Sequence, residues 1–288
     1  MGAWSVLSAG LFRFSKVGRR KVARANFRFS VADSQKESPI SRTALVTGAA
    51  RGIGLATVRK LLDAGHRVAM ADHDAEALAA AASKLPSERV LALPADITAP
   101  DAPAALERAI LGNWPPVSIL VNNAGVPSPK RDGRAAGFVE TVDEEWSGVI
   151  AINLTAVFRM SRQFLPLMRE QRWGRVINIA SLAGRGRTLV AGPSYMASKA
   201  GVLALTRAIA GEFGPDGITA NSIAPGLIDT SMAAGRPAEA NAAVIRQIPV
   251  RRIGRPEEVG AAVAFLAGED AGFINGAVID VNGGIWMA

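Results

Sequence analysis

The chain has 288 residues, 49% of them hydrophobic, a formal net charge of +8 and no cysteine. Without cysteine, thiol catalysis, disulfides and cysteine-ligated zinc are excluded, and the two histidines lack metal-ligand spacing, so we predict no metal site. No uncharged apolar run approaches the roughly 18 residues that span a bilayer, so no membrane span is expected. Residues 1–40 hold eight basic and two acidic side chains, which leaves a net charge of +2 for residues 41–288. That near balance gives no reason to expect nucleic-acid binding by the fold.

Residues 1–32 contain no acidic residue and are rich in arginine and serine, a composition typical of mitochondrial or chloroplast transit peptides. A disordered tail, or an upstream extension of a bacterial chain read from an early start, fits equally well, and a membrane- or nucleic-acid-binding arm is a third interpretation. We therefore predict a basic leader over residues 1–40 and one dinucleotide-binding and catalytic domain over residues 41–288. The predicted location is the cytoplasm for a bacterial chain and the mitochondrial matrix for a chain with a transit peptide.

From residue 42 onward, short apolar strands alternate with helical segments. The predicted strands cover residues 43–47, 68–71, 90–93, 117–121, 175–179, 218–223 and 277–281. The predicted helices cover residues 53–62, 75–84, 102–111, 143–171 and 257–266, with a further helix around residue 195. Strands that are apolar throughout and separated by helices indicate a parallel sheet covered on both faces. The sequence therefore predicts an α/β fold of the single-domain Rossmann type, with a doubly wound parallel sheet of about seven strands.

A glycine-rich loop joins the first predicted strand to the first helix. Gly48, Gly52 and Gly54 permit a tight turn and a close approach of the backbone to a ligand. The start of the helix offers free N–H groups and a positive dipole end to a pyrophosphate. Asp72, at the end of the next strand, lies 18 residues past Gly54, close to the roughly 20 expected for a carboxylate that holds the adenosine ribose. These features predict a dinucleotide site.

Tyr195 is the only tyrosine in the chain, and Lys199, one of seven lysines, follows it by four residues. Residues four apart on a helix share a face, so the ammonium can lie beside the phenol. A unit charge about 4 Å away supplies about 4 kcal/mol at an effective dielectric near 20, or roughly three pKa units. We therefore predict that Lys199 brings the pKa of Tyr195 from about 10 towards 7 and makes it a general acid/base.

The residues from 42 to 288 resemble the classical short-chain dehydrogenase/reductase family in four motifs: Gly48-x-x-x-Gly52-x-Gly54, Asn122-Asn123-Ala124-Gly125, Ser181 and Tyr195-x-x-x-Lys199. The separation of fourteen positions between Ser181 and Tyr195 is slightly longer than this resemblance leads us to expect. It predicts an insertion in the loop between them. The resemblance implies a homotetrameric oxidoreductase that transfers a hydride between a nicotinamide cofactor and a secondary alcohol or ketone.

The resemblance also implies a role for each matching residue. Tyr195 is the acid/base, and Lys199 supports its charge and holds the nicotinamide ribose. Ser181 hydrogen-bonds the reacting oxygen, and Asn153 supports a water chain to the lysine. The implied cofactor-binding residues are Gly48, Arg51, Gly52, Ile53, Gly54, Asp72, Asp96, Ile97, Asn123, Ala124, Gly125, Tyr195, Lys199, Pro225, Gly226, Ile228 and Thr230. Among them, Asp96 lies beside the adenine, Asn123 ties the central strands together, and Ile228 and Thr230 contact the nicotinamide.

NAD is the expected cofactor, and NADP is the less favoured one. The Asp72 carboxylate can accept both ribose hydroxyls of NAD, whereas it repels the 2′-phosphate of NADP by roughly 4 kcal/mol per unit charge at about 4 Å. Arg51 opposes this preference, because a guanidinium beside the glycine loop can pair with the same phosphate.

The substrate class remains open at this point, because fold alone does not select a substrate. A 3-oxoacyl-carrier-protein-type reductase is one alternative, and a non-catalytic dinucleotide-binding protein on the same fold is another. Basic residues cluster at the predicted mouth of the site, which suggests an anionic substrate, although solvated surface charge explains such a cluster as well. These residues are Lys130, Arg131, Arg134, Arg185 and Arg187.

Overall fold

The computed structural model describes residues 41–131, 134–186, 191–230 and 238–287. The predicted leader, residues 1–40, and Arg187 lie outside the described residues. Residues 187–190, which belong to the loop where the spacing predicts an insertion, also lie outside the described residues.

A parallel sheet of seven strands forms the centre of the described residues, in the order β3-β2-β1-β4-β7-β8-β9. Its strands are β1 (Thr43–Thr47), β2 (Arg67–Asp72), β3 (Val90–Pro94), β4 (Val117–Asn122), β7 (Gly174–Ile179), β8 (Ile218–Pro225) and β9 (Val278–Val281). A short antiparallel pair, β5 (Lys130–Arg131) and β6 (Arg134–Ala135), lies apart from this sheet. The strand order changes direction between β1 and β4, and ligands of doubly wound sheets bind at such a switch point, outside the carboxyl ends of the strands.

Helices cover the sheet on both faces. They are α1 (Gly52–Asp63), α2 (Ala75–Ala82), α3 (Ala102–Leu111), α4 (Asp143–Ile150), α5 (Ala156–Glu170), α6 (Pro193–Phe213), α7 (Ala238–Gln247) and α8 (Pro256–Ala267). One apolar layer packs α1 and α8 against the sheet through side chains such as Leu61 and Val263. The opposite layer packs α3, α5 and α6 through Ile110, Phe164 and Ile209. None of the helices described here is both long and apolar enough to cross a membrane.

The doubly wound α/β fold predicted from the sequence is confirmed, and every predicted strand is present within about three residues. The predicted helix over 143–171 is one helical stretch, but it contains a π-helical turn, Ala151–Thr155, between α4 and α5. The β5–β6 pair and α7 were not predicted. The two-residue strands are too short to give a periodic pattern.

Buried polar side chains connect the central strands just below their carboxyl ends. Asn122 Nδ2 donates to Asn178 Oδ1 at 2.8 Å, and Asn178 Nδ2 donates to Thr206 Oγ1 at 2.9 Å. The hydroxyls of Thr206 and Ser222 are 2.6 Å apart. Since buried polar groups are costly unless they are paired, this series of hydrogen bonds fixes β4, β7, β8 and α6 in one arrangement. It thereby sets the positions from which Ser181 and Tyr195 extend.

Candidate active site

The glycine loop packs tightly between β1 and the end of β4. Gly48 and Gly52 have φ values of +64° and +54°, in the left-handed region that glycine adopts without strain. A Cβ at Gly48 would lie 2.8 Å from the Ala124 Cα, and one at Gly54 would lie 2.0 Å from the Gly48 carbonyl oxygen. The loop therefore admits no larger side chain at these positions, and it leads directly into the first turn of α1, where Ile53 lies.

Asn123 holds the same loop from the side of β4. Its Nδ2 donates to the carbonyl oxygens of Thr47 and Gly48, each at 2.9 Å. The backbone N–H of Ala124 donates to Thr47 Oγ1 at 3.1 Å. The tie between central strands that the resemblance implies for Asn123 is therefore present in the structure.

Asp72 ends β2 as a buried carboxylate, with 7% of the residue exposed. Its Oδ2 accepts a hydrogen bond from Ala50 N at 3.0 Å, and its Oδ1 accepts one from Asp74 N at 3.1 Å. His73 Nδ1 is 3.2 Å from Oδ1. Because backbone donors hold both oxygens, the carboxylate has one fixed orientation beside the glycine loop.

Arg51 forms an ion pair with Asp74 and lies on the outer side of the glycine loop. Asp74 also accepts a hydrogen bond from Ala77 N at 3.0 Å and so caps α2. A 2′-phosphate that recruits Arg51 must therefore compete with an existing carboxylate partner.

The other predicted cofactor residues line the same edge of the sheet. Asp96 Oδ1 accepts hydrogen bonds from Thr98 N at 2.9 Å and Thr98 Oγ1 at 2.8 Å, beside the buried Ile97. Gly226, after Pro225 at the end of β8, donates from its N–H to Val281 O at 3.0 Å. Ile228 is buried and bridges to Gly254.

Thr230 extends over the glycine loop, since a Cβ at Gly52 would lie 3.3 Å from its methyl carbon. The helix start, the fixed Asp72 carboxylate and Thr230 thus surround one groove at the switch point. These residues fit an extended dinucleotide, with its adenosine end at Asp72 and its nicotinamide end towards Thr230 and Lys199.

Tyr195 and Lys199 occupy successive turns of α6, at its amino-terminal end. The Lys199 Nζ is 5.8 Å from the centroid of the Tyr195 ring and donates to Ile179 O, at the end of β7, at 2.8 Å. Ser181 follows that strand, and its hydroxyl hydrogen-bonds the Tyr195 phenol. The three side chains that the resemblance selects are thus brought together at one end of the groove.

Asn153 lies in the π-helical turn and is fully buried. Its Oδ1 accepts from Val126 N at 2.8 Å, while its Nδ2 donates to Val126 O at 2.9 Å and to Ser198 Oγ at 3.2 Å. A Cβ at Gly125 would lie 3.2 Å from Asn153 Oδ1 and 3.4 Å from Lys199 Nζ. The described hydrogen bonds of the Asn153 amide are thus made to protein groups, and they link the segment after β4 to α6. The water chain expected of Asn153 stays a prediction.

The prediction that Lys199 lowers the pKa of Tyr195 is wrong in direction. Burial raises the pKa of Tyr195, and the hydrogen bond from Ser181 lowers it by less. Burial also lowers the pKa of Lys199 to about 8. Desolvation disfavours both the phenolate and the ammonium. The phenol therefore carries its proton at neutral pH.

The described arginines at the mouth of the site all face carboxylates. Arg134 forms two hydrogen bonds to Glu140, at 2.7 and 2.6 Å, and Arg131 is 3.9 Å from a Glu145 oxygen. Arg185 is 3.2 Å from Asp280 Oδ2. These pairings do not support the interpretation of the arginines as an anion-binding mouth. Arg187 and the side chain of Lys130 are not described.

Comparisons with known proteins agree with this geometry. A family model described as "Enoyl-(Acyl carrier protein) reductase" matches residues 48–286. The acetoacetyl-CoA reductase of Rhizobium meliloti (strain 1021) is 41% identical over 255 residues, which cover 86% of this chain and 100% of the relative. The chain belongs to the short-chain dehydrogenase/reductase family. It is accordingly an oxidoreductase that transfers a hydride between a nicotinamide cofactor and a secondary alcohol or ketone.

Solved structures of this family superpose closely on the short-chain dehydrogenase/reductase described here. A 3-oxoacyl-[acyl-carrier protein] reductase from Brucella melitensis ATCC 23457 has a TM-score of 0.81 and 34% identity, covering 87% of this chain and 93% of that one. A second Brucella melitensis structure, described as a 3-oxoacyl-[acyl-carrier protein] reductase with bound NAD, has a TM-score of 0.79 and 34% identity, covering 86% and 92%.

Sequence reasoning missed several contacts of the site. The hydrogen bond from Ala50 N to Asp72 depends on loop geometry and leaves no pattern in the sequence. Arg185 contacts Asp280, which lies within β9, and Trp286, which follows that strand. The run Asn282-Gly283-Gly284 just before Trp286 is a turn signal that could have drawn attention to this segment.

Proposed function

We propose that the chain reduces a 3-oxoacyl thioester to its 3-hydroxy form with NADH as the hydride donor. The observation that carries the substrate class is the 41% identity to an acetoacetyl-CoA reductase over that relative's full length. The likeness to structures described as 3-oxoacyl-[acyl-carrier protein] reductases supports the same class. The names of these relatives describe reduction of the ketone of a β-oxo thioester.

Tyr195 donates the proton and Ser181 orients the carbonyl. The nicotinamide, when bound, supplies the hydride. Ser181 donates a hydrogen bond to the ketone oxygen, and Tyr195, which is protonated at neutral pH, transfers its proton to that oxygen as negative charge develops. The resulting phenolate lies next to Lys199, and the ammonium stabilises it at pH values below about 8. The pairing of Lys199 with Ile179 O keeps the ammonium in place for the ribose.

Asp72 is the basis for favouring NAD over NADP. Backbone donors hold its carboxylate beside the glycine loop, where the two hydroxyls of an adenosine ribose can donate to it. A 2′-phosphate would lose those bonds and meet a fixed negative charge. Arg51 is already paired with Asp74, which weakens its attraction for such a phosphate. The solved relative described with bound NAD is consistent with this choice.

We also propose a homo-oligomer, with a tetramer as the expected size. The helices around residues 150–164 and 202–213 could supply the interface. They bury one side against the sheet, and Phe158 on α5 is 46% exposed on the other side. Trp146 on α4 is 42% exposed. Aromatic side chains of this kind suit an interface. The leader over residues 1–40 and a cytoplasmic location for a bacterial chain remain proposals from the sequence.

Steady-state kinetics with acetoacetyl-CoA and NADH test the proposal, with a broad panel of ketones and secondary alcohols alongside. Acetoacetyl-CoA should give the highest kcat/KM of the panel. A higher kcat/KM for a sugar or a small alcohol would replace the thioester assignment. Binding of NAD without turnover of any compound would favour the non-catalytic interpretation instead.

A further inference from the structure

The last described segment of the chain turns back after β9. Gly283 and Gly284 have φ values of +65° and +84°, which favour glycine. The Asn282 side chain closes this turn, because it accepts a hydrogen bond from Gly284 N at 2.8 Å and donates one to Trp286 O at 3.0 Å. Residues 282–286, the C-terminal segment, are thereby held in one path at the carboxyl edge of the sheet.

Trp286 contacts the loop that follows the predicted catalytic serine, residues 181–186, which we name the serine loop. The Arg185 guanidinium lies 4.2 Å from the Trp286 ring centroid, and a Cβ at Gly186 would lie 3.4 Å from the indole Nε1. Arg185 also pairs with Asp280 in β9, at 3.2 Å. A planar guanidinium that both stacks on an indole and pairs with a carboxylate has little orientational freedom. The C-terminal segment therefore holds the serine loop from outside.

The inner side of the serine loop rests on α6. A Cβ at Gly184 would lie 2.6 Å from the backbone carbonyl carbon of Lys199, so the loop and the helix backbone are in direct contact. Ser181 begins the loop, and its Oγ accepts a hydrogen bond from Ala183 N at 3.1 Å. Movement of the loop away from α6 would therefore change the position of the Ser181 hydroxyl relative to Tyr195.

We propose that Arg185 and Trp286 are positioning residues, through which the C-terminal segment presses the serine loop against α6 and holds the Ser181 hydroxyl at the carbonyl oxygen. The proposal rests on the proposed function, because it assigns that contact to Ser181. Displacement of a catalytic group by about 1 Å can cost on the order of 100-fold in rate. Contacts that lie outside the reacting atoms can thus control the rate.

A double-mutant cycle separates positioning from a general structural role. Trp286→Ala should lower kcat for ketone reduction tenfold or more in the native background, but less than twofold in a Ser181→Ala background, since the segment acts through Ser181. The dissociation constant for NAD, measured by calorimetry, should stay within twofold of the native value. Equal losses of kcat in the two backgrounds, or no loss in the native one, would overturn the proposal.

Two further variants keep the test decisive if Trp286→Ala fails to fold. Arg185→Gln retains a similar length without the charged plane and should show the same dependence on Ser181, whereas native kcat in this variant would refute the proposal. Trp286→Phe retains an aromatic face for Arg185 and should keep kcat within about threefold of native, because the stacking contact survives. The matched control is Trp173→Ala, which removes an arginine–tryptophan contact at the opposite edge of the sheet and should leave kcat and KM unchanged.

The outcomes for this proposal and for the proposed function are distinct. If the native enzyme reduces no 3-oxoacyl thioester, the substrate assignment fails, and the same cycle is then measured with the best ketone of the panel. If the native enzyme reduces the thioester but the cycle is additive, only the positioning role fails.

Discussion

Two clusters of arginine, tryptophan and carboxylate lie at opposite edges of the same sheet. At the amino edge, Arg42 lies 3.6 Å from the Trp173 ring centroid and donates to Glu269 at 2.9 Å. At the carboxyl edge, Arg185 lies 4.2 Å from the Trp286 centroid and pairs with Asp280 at 3.2 Å. The chemistry is nearly the same, yet only the second cluster borders the groove. Position relative to the strand ends, rather than residue type, therefore decides which cluster bears on catalysis.

The amino-edge cluster connects elements that are distant in sequence. Arg175 is buried, lies 4.3 Å from the Trp173 centroid and donates to Gly268 O at 3.3 Å. Trp173 Nε1 donates to Glu269 at 3.0 Å. These contacts join the starts of β1 and β7 to the end of α8, so we expect them to stabilise the fold without affecting turnover.

The largest expected effect is at the carboxyl edge. Tyr195→Phe removes the proton donor and should lower kcat by about 10²–10⁴-fold, the usual contribution of a general acid. Calorimetry should show that the variant still binds NAD, because the glycine loop and Asp72, to which we assign the adenosine end of the cofactor, are unchanged. Near-normal turnover in this variant would refute the assignment of Tyr195.

The adenosine end of the same edge should show the next largest effect. NAD should exceed NADP by at least tenfold in kcat/KM, because the fixed Asp72 carboxylate gains bonds with one cofactor and repels the other. Asp72→Ala should narrow that ratio, since it removes the repulsion and leaves Arg51 able to turn to the phosphate. Kinetics with both cofactors for the native and variant enzymes measure the ratio, and a native preference for NADP would overturn the assignment.

The pH dependence of reduction should follow Tyr195 and Lys199, near the nicotinamide end. Burial keeps Tyr195 protonated well above neutral pH, so reduction needs no prior protonation of the phenol. Lys199 loses its proton as the pH rises through about 8, and the stabilisation of the developing phenolate is then lost. We expect kcat for reduction to be flat below about pH 8 and to fall above it. A profile that rises from pH 7 to pH 9 would contradict these assignments.

The opposite edge should respond in stability alone. Trp173→Ala removes two cation–π contacts and a hydrogen bond to Glu269, and it should lower the free energy of unfolding by about 1–3 kcal/mol. The value of kcat/KM should remain native at temperatures where the variant is folded. Chemical denaturation and kinetics on one preparation measure both, and a tenfold loss of kcat/KM would erase the distinction between the two clusters.

Much of this arrangement could be predicted because local signals agree with the fold. The apolar strands and the glycine loop between Thr47 and Gly54 carry strong patterns, so the sheet and its switch point follow from the sequence. The π-helical turn around Asn153 does not, because no residue there breaks an α-helical pattern. Tyr195 and Lys199 are four residues apart, which predicts that they share a helix face, and they do.

The electrostatics of the site could not be predicted in the same way. The sequence places Lys199 near Tyr195, but only the fold shows that Lys199 is buried and Tyr195 partly buried. Desolvation of the two groups reverses the expected shift in the Tyr195 pKa. The partners of Arg185 are likewise distant in the sequence, since Asp280 and Trp286 reach it only through the sheet and the final turn. Charge clusters in a sequence therefore predict a surface, while their partners depend on tertiary contacts.

The smallest expected effects concern the carboxylates of the two clusters, whose pKa values shift in opposite directions. Burial raises the pKa of Glu269, but the hydrogen bonds from Arg42 and Trp173 together outweigh it, and the net pKa is lowered. Burial likewise raises the pKa of Asp280, and Arg185 offsets this only in part, so its net pKa is raised. The ionised form is therefore favoured by the fold at the amino edge and disfavoured at the carboxyl edge.

Glu269→Gln and Asp280→Asn should accordingly change Tm in opposite senses at pH 7. A carboxylate whose pKa is lower in the folded state contributes stability at pH values above its unfolded pKa and loses that contribution as the pH falls through the folded pKa. Glu269→Gln should therefore lower Tm at pH 7, and the difference in Tm should shrink as the pH falls below about 4. A carboxylate whose pKa is higher in the folded state costs stability at pH values above the folded pKa, so Asp280→Asn should raise Tm slightly at pH 7. The side chain of Glu269 is 60% exposed, so the loss in the free energy of unfolding for Glu269→Gln should stay below about 1 kcal/mol. Only Asp280→Asn should lower kcat, because it removes a partner of Arg185. Thermal unfolding from pH 3 to pH 8, together with kinetics, distinguishes the two variants. A Tm change of the same sign in both variants would show that the two carboxylates are equivalent.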